Sequence, residues 1–192
     1  MDDQELDVPA VHQQALDATL RIVIDVRADH LDRPTPCDDW DVRELLGHIV
    51  GGNHWAKALM DGETIEEVGD RFDGDLLGDD PLGAYGASAT EAGEAFAAPG
   101  AMEAMAAVSY GPVPGSVYCG HRILDVVLHG WDLATAIGSD ATIEPDLVDA
   151  CWTILEPQLD LLVASGAFGT YTEAAADADP ATRLLLATGR TP

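Results

Sequence analysis

Residues 124–138 read LDVVLHGWDLATAIG, an apolar run carrying three ionisable side chains, Asp125, His129 and Asp132. Its apolar positions recur at three- and four-residue steps and Gly138 closes it, the pattern of a single long helix with a glycine cap. Asp125 and His129 are four residues apart, so they share one helical face with about 5–6 Å between β-carbons, a spacing at which two side chains can hold one metal ion. A carboxylate in such a stretch also needs compensation, from a metal, a cation or several donors, because burying it unpaired is costly.

Working outward, this helix is expected from about Ser116 to Ile137. The preceding segment PGAMEAMAAVSYGPVPG, residues 99–115, reads as a short helix and a turn. Upstream, Asp41 followed three residues later by Glu44 forms a capping box that opens a second helix, with Val42, Leu45, Leu46, Ile49 and Val50 as its apolar face. Gly51 and Gly52 lie inside that pattern and cost helix propensity unless another helix packs closely there. Residues 8–31 carry Val11, Ala15, Ala18, Ile22 and Val26 as one stripe, and Pro34 and Pro36 end that helix. From Asp61 to Asp80 the chain is acidic and glycine-punctuated, a surface loop with room for one helical turn. Asp80 before Pro81 caps a further helix to about Ala98. Another begins near Glu144 and Pro145 and runs to about Ser165, with Val148, Cys151, Trp152, Leu155, Leu159 and Leu162 buried and a kink at Pro157. A short helix spans Ala181 to Thr188. No stretch alternates as a strand would, so the expectation is an all-α chain, a helical bundle with long connections, in one domain over residues 1–192.

The chain holds 35 Asp and Glu against 9 Lys and Arg, for a formal net charge of −26. Such a surface repels phosphate backbones, which excludes nucleic acid and anionic membranes as partners. With 47% hydrophobic residues the chain is not an acidic disordered segment. Lys57 is its only lysine. The self-repulsion falls away in molar salt, where the Debye length is about 3 Å, and the composition reads as that of a halophile's protein. No apolar run reaches the roughly 20 residues of a membrane span, and the acidic start MDDQELDVPA is unlike a secretory signal. Cys37, Cys119 and Cys151, an odd number without CxxC spacing, read as reduced thiols. The expected location is the cytoplasm.

His48 on the second helix joins Asp125 and His129 as a candidate set, two imidazoles and one carboxylate. That is the ligand set of an open catalytic zinc site, with the fourth position left to water or substrate. The competing readings are a hydrogen-bonded core histidine at His48 and an Asp125 paired with Arg122 or Arg43. His121 lies about 40° around the helix from Asp125 and 80° from His129, close enough to replace a ligand or to support one. His54 reads as a rim histidine, and His12 and His30 as solvent-facing. Trp131 is core or pocket wall; Trp55 is a second candidate for the pocket.

TPCDDWDVRELLGHIVGGNHW, residues 35–55, resembles the segment T-P-C-x-x-W-x-V-x-x-L-x-x-H-x-x-x-G of the DinB-like metal-binding proteins related to mycothiol-dependent maleylpyruvate isomerase. Residues 124–138 resemble that family's acid-x-x-x-H-G-W-D-L-A-x-A-x-G, and RLLLATGRTP, residues 183–192, resembles its closing R-L-L-x-x-x-G-R-x-P. The resemblance implies a DinB-like four-helix bundle with a short C-terminal extension, and a divalent metal held by His48, Asp125 and His129, with zinc expected and nickel the alternative. The isomerase has glutamate where this chain has Asp125, one methylene shorter, so the helix must approach the ion more closely or a water must bridge. The isomerase's large second domain also exceeds the length of this chain.

The resemblance further implies a transferase or isomerase in which a low-molecular-weight thiol meets an electrophilic small-molecule substrate in a pocket near Trp55 and Trp131. The alternatives are a non-catalytic metal-binding or stress-response protein and a metal-dependent hydrolase. No H-E-x-x-H, P-loop or G-x-G-x-x-G supplies an independent catalytic motif. Nothing in the stripes marks a second apolar face, which leaves monomer and homodimer both open.

Overall fold

The computed structural model describes residues 6–37, 40–160 and 170–192, and these are mostly helical. The chain divides into two compact units, Met1–Ala141 and Thr142–Pro192. Among the described residues no helix is long and apolar enough to cross a membrane.

In the first unit, α1 spans Val8–Val23 and α2 spans Val42–Met60. The single-turn α3 is Ile65–Val68 and α4 is Pro81–Ala97. Strands β1 (Met105–Val108) and β2 (Gly111–Pro114) precede α5, Gly115–Ile137. Helices α1 and α2 each pack against both α4 and α5. Local chemistry sets the helix boundaries as expected. The Asp41 carboxylate accepts from the Glu44 amide at 2.9 Å while Glu44 reaches back to the Asp41 amide at 3.0 Å. Asp80 accepts from the Gly83 amide at 2.9 Å. Gly138 ends α5 in the left-handed region at φ 74°, where a side chain would be strained.

Three expectations are corrected. Residues 105–114 form an antiparallel hairpin, with Met105 opposite Pro114 and Val108 opposite Gly111, where the sequence suggested a short helix and turn. Alanine and methionine hide the alternation there, and Pro112 and Pro114 are tolerated because each strand of a two-stranded ribbon is an edge. Helix α1 stops at Val23, not near residue 31; the β-branched run Ile22, Val23, Ile24 is poor helix material, and the chain continues into a 3₁₀ turn at Ala28–His30. His12 and His30 are buried, not solvent-facing. The inward stripe of α1 includes His12, Ala15, Leu16, Thr19 and Val23, so two polar residues go inside with it. Thr19 is satisfied there, its hydroxyl donating to the Val126 carbonyl at 3.2 Å.

Two neighbours explain the paired glycines of α2, a side chain of α5 at Gly52 and the connection between α3 and α4 at Gly51. A β-carbon on Gly52 would overlap the Arg122 guanidinium of α5, and one on Gly51 would press on Leu76 at 3.1 Å.

In the second unit, α6 spans Pro145–Leu155 and a 3₁₀ turn at Glu156–Gln158 follows, the break expected at Pro157. The far end of the expected helix, with Leu162, lies outside the described residues. Helix α7, Pro180–Ala187, packs on α6, and the Trp152 indole donates to the Pro180 carbonyl at 3.2 Å.

Candidate metal centre

Helices α2 and α5 cross so that His48 meets the Asp125–His129 face. His48 Nε2 lies 3.3 Å from Asp125 Oδ1, and His129 Nε2 lies 3.5 Å from the same oxygen. The donor atoms of these three residues all fall within 4.8 Å of one another. Around a tetrahedral ion with bonds near 2.0–2.1 Å, ligand atoms stand about 3.3–3.5 Å apart, and the two separations from Asp125 match that spacing.

Asp125 divides its two oxygens between two tasks. Oδ1 faces both imidazoles, while Oδ2 accepts from Arg122 Nη1 at 2.7 Å. The guanidinium is fixed in turn, Arg122 Nη2 donating to Asn53 Oδ1 at 3.2 Å and Asn53 Nδ2 to Ser88 Oγ at 3.2 Å. Ser88 donates to the Tyr85 carbonyl at 3.0 Å, which extends the chain of bonds from α5 through α2 to α4. Burial pushes the Asp125 carboxyl up, but the Arg122 charge, the bond from His48 and the two imidazoles outweigh it and hold the group well below the usual carboxylate range. Asp125 therefore presents an ionised oxygen to the space between the histidines. The sequence left pairing with Arg122 or Arg43 open. Arg122 makes it, and Arg43 pairs instead with Asp75 at 3.4 Å.

The far nitrogen of His129 is also engaged. His129 Nδ1 lies 3.0 Å from Asp132 Oδ2, and the Cys37 thiol donates to that same oxygen at 3.2 Å. Cys37, His129 and Asp132 make a second donor group on the opposite side of the ring. Trp40 covers both imidazoles, its ring centroid 4.7 Å from that of His48 and 5.8 Å from that of His129. Two hydrogen bonds tie its backbone down, the Thr35 hydroxyl donating to the Trp40 carbonyl at 2.9 Å and the Trp40 amide to the Cys37 carbonyl at 3.2 Å.

His48 opens onto a cleft of about 1050 Å³ whose walls include Trp40, Trp55 and Phe72, with Gly47, Gly51 and Gly52 as a bare stretch of α2. Trp55, which the sequence offered as a pocket residue, is among the residues that line this cleft. Trp131 is packed inside the unit and is not part of the cleft lining. His121 contacts the hairpin, its Nδ1 2.5 Å from the Tyr110 hydroxyl, and belongs to neither donor group. His54 bonds Glu91 at 3.2 Å and stacks on Phe72. The residue-by-residue reading of spacing missed Cys37 and Trp40 as parts of the site, offered Arg122 only as a partner of Asp125 in a structural alternative, and gave Asp132 no role there. Asp132 falls three residues after His129 on the same helical face, and that is the one signal spacing carried.

Residues 12–134 match the model of the mycothiol maleylpyruvate isomerase N-terminal domain family, a DinB-like family. The chain belongs to this family. That span contains every residue of both donor groups and of the cleft lining. Uncharacterized proteins from two strains of Mycobacterium tuberculosis are each 39% identical over 146 residues, covering 74% of this chain and 74% of theirs. No solved structure matches the chain at a significant level. The family is associated with mycothiol and metal binding, and in this member the candidate acid is an aspartate backed by an arginine.

Proposed function

We propose that His48, Asp125 and His129 form a divalent-metal centre, with zinc the expected ion and nickel the alternative, in an enzyme that joins a low-molecular-weight thiol to an electrophilic small molecule or isomerises one through such an adduct. The observation that carries this reading is the convergence of three donors, one of them an ionised oxygen, beside a cleft with aromatic walls. The two faces of α5 and α2, together with the family membership, support a DinB-like four-helix bundle as the scaffold.

When bound, the ion supplies Lewis acidity that lowers the pKa of a thiol at its open position. The chain does the rest. Arg122 aims Asp125 so that one oxygen is left for the ion and spends the other itself. Trp40 shields one side of both imidazoles from water, and Trp55 and Phe72 offer flat apolar surfaces to a ligand. Gly47, where an added β-carbon would meet nothing within 4 Å, leaves room beside His48 for the thiol or its partner. Three cysteines outside any disulfide agree with a reducing compartment such as the cytoplasm.

One observation favours a second reading. Arg122 and Asp125 already form an ion pair with good geometry, as a purely structural site would. Metal content by elemental mass spectrometry, on untagged protein purified in molar potassium chloride, separates the two; about one divalent ion per chain supports the metal centre, and none after zinc addition rejects it. Cobalt substitution then tests the enzyme: a visible spectrum that shifts on adding thiol supports the open position, and one that ignores every thiol leaves a non-catalytic metal-binding protein.

A further inference from the structure

We infer that Asp132 is a positioning residue for the proposed metal centre, fixing which nitrogen of His129 is bare, with the Cys37 thiol as its second donor. This deepens the metal reading above and rests on it. An imidazole offers a lone pair to an ion on one nitrogen only when the proton sits on the other, and the hydrogen bond made by the other nitrogen decides the matter. Here His129 Nε2 faces Asp125 and His48, while Nδ1 faces Asp132 Oδ2 at 3.0 Å. The Asp132 side chain is 1% exposed, so Oδ2 is a buried acceptor aimed at His129 Nδ1, and a proton on that nitrogen points straight at it.

Cys37 reinforces the arrangement. Its Sγ is 3.2 Å from Asp132 Oδ2 and 3.6 Å from His129 Nδ1, so one carboxylate oxygen receives two donors that come from different parts of the fold. The Cys37 carbonyl also accepts from the amide of Trp40, whose ring lies over His48 and His129. The segment before α2 therefore controls both the cover of the site and the proton on its histidine.

The test uses metal-free protein with 15N-labelled histidine, in which long-range 1H–15N correlation reads the protonated nitrogen of each ring. His129 is expected to carry its proton on Nδ1 in the wild type and to lose that preference in Asp132→Ala. Zinc affinity, measured by chelator competition, is expected to fall about 10- to 100-fold in Asp132→Ala and Asp132→Asn. Cys37→Ala is expected to fall less, with Cys37→Ser restoring most of the loss. Should the Asp132 variants fail to fold, the wild-type spectrum alone decides. A wild-type His129 protonated on Nε2 overturns the inference, as does unchanged zinc affinity in both Asp132 variants. Two ions per chain, with Cys37 protected from alkylation by the second, also overturns it, because Cys37, His129 and Asp132 would then be ligands themselves. Failure of the wild type to bind zinc sinks the functional reading and the positioning role with it, whereas a wild type that binds zinc with His129 protonated on Nε2 sinks the positioning role alone, so the two failures are told apart.

Discussion

His129 and His12 are both inward-facing histidines of the same unit, yet their surroundings are opposite. His129 has a carboxylate on each side of its ring, Asp125 at 3.5 Å and Asp132 at 3.0 Å. His12 lies edge-on to Phe96 at 4.9 Å, and neither of its nitrogens has a hydrogen-bond partner among the described residues. Burial, helped by the charge of Arg122, pushes the His12 pKa down to about 3. One histidine is held as a polar, directed donor; the other is held neutral, as an aromatic filler. Burial alone therefore says nothing about ligation. What separates the two is whether acidic oxygens were folded in beside the ring.

The strongest way to break this contrast is to remove the directed side. The double variant His48→Ala with His129→Ala is expected to abolish measurable zinc binding, whereas His12→Leu leaves it within about twofold; chelator competition on all three proteins is the check, and equal losses would erase the distinction.

Acid sharpens it. For His12 the folded pKa of about 3 lies below the ordinary histidine value of 6.5, so between these pH values the unfolded chain binds more protons and stability rises with pH. The protein is thus expected to lose stability as pH falls from about 6.5 toward 3, at up to about 1.4 kcal/mol per pH unit from this residue. Denaturant titration of His12→Leu should show a flatter profile over that window, and an unchanged slope would mean that the ring gains a partner in solution.

The fold was legible wherever local chemistry sets it. The capping box at Asp41 and Glu44, Pro81 after Asp80, and Gly138 after Ile137 each act within a turn of helix, and each helix end stands where they put it. The hairpin at residues 105–114 was not legible, because its pairing is between strands and alanines carry little pattern. Likewise, three-residue and four-residue spacing shows that Asp125, His129 and Asp132 share a face. It cannot show that Cys37 and Trp40, about ninety residues away in sequence, lie against that face. Burial of His12 was hidden for a related reason: a polar residue within an apolar stripe reads as an interruption until the packing partner, here Phe96, is known.

Two smaller effects complete the set. Gly52→Ala would place its methyl in the space of the Arg122 guanidinium, which is expected to cost about 1–3 kcal/mol and to weaken zinc binding by misaiming Asp125. Unfolding and competition experiments should move together; a stability loss with intact affinity would separate Arg122 from the site. Raising potassium chloride from about 0.1 M to 1 M shortens the screening length from about 10 Å to 3 Å, and for a chain of net charge −26 the melting temperature is expected to rise by several degrees. No rise would mean that the acidic surface is already neutralised by local pairing.

The cleft has two kinds of wall. One is helix α2, whose Gly47, His48 and Gly51 belong to regular backbone; the other is the connection between α3 and α4, with Phe72, Asp73 and Asp75. Insertions and exchanges in a surface connection are tolerated far better than in a packed helix. The chain can therefore try out new ligands by rewriting a few positions of that connection while the three donors keep their places, so relatives that share the donors have a cheap route to diverge in what they bind.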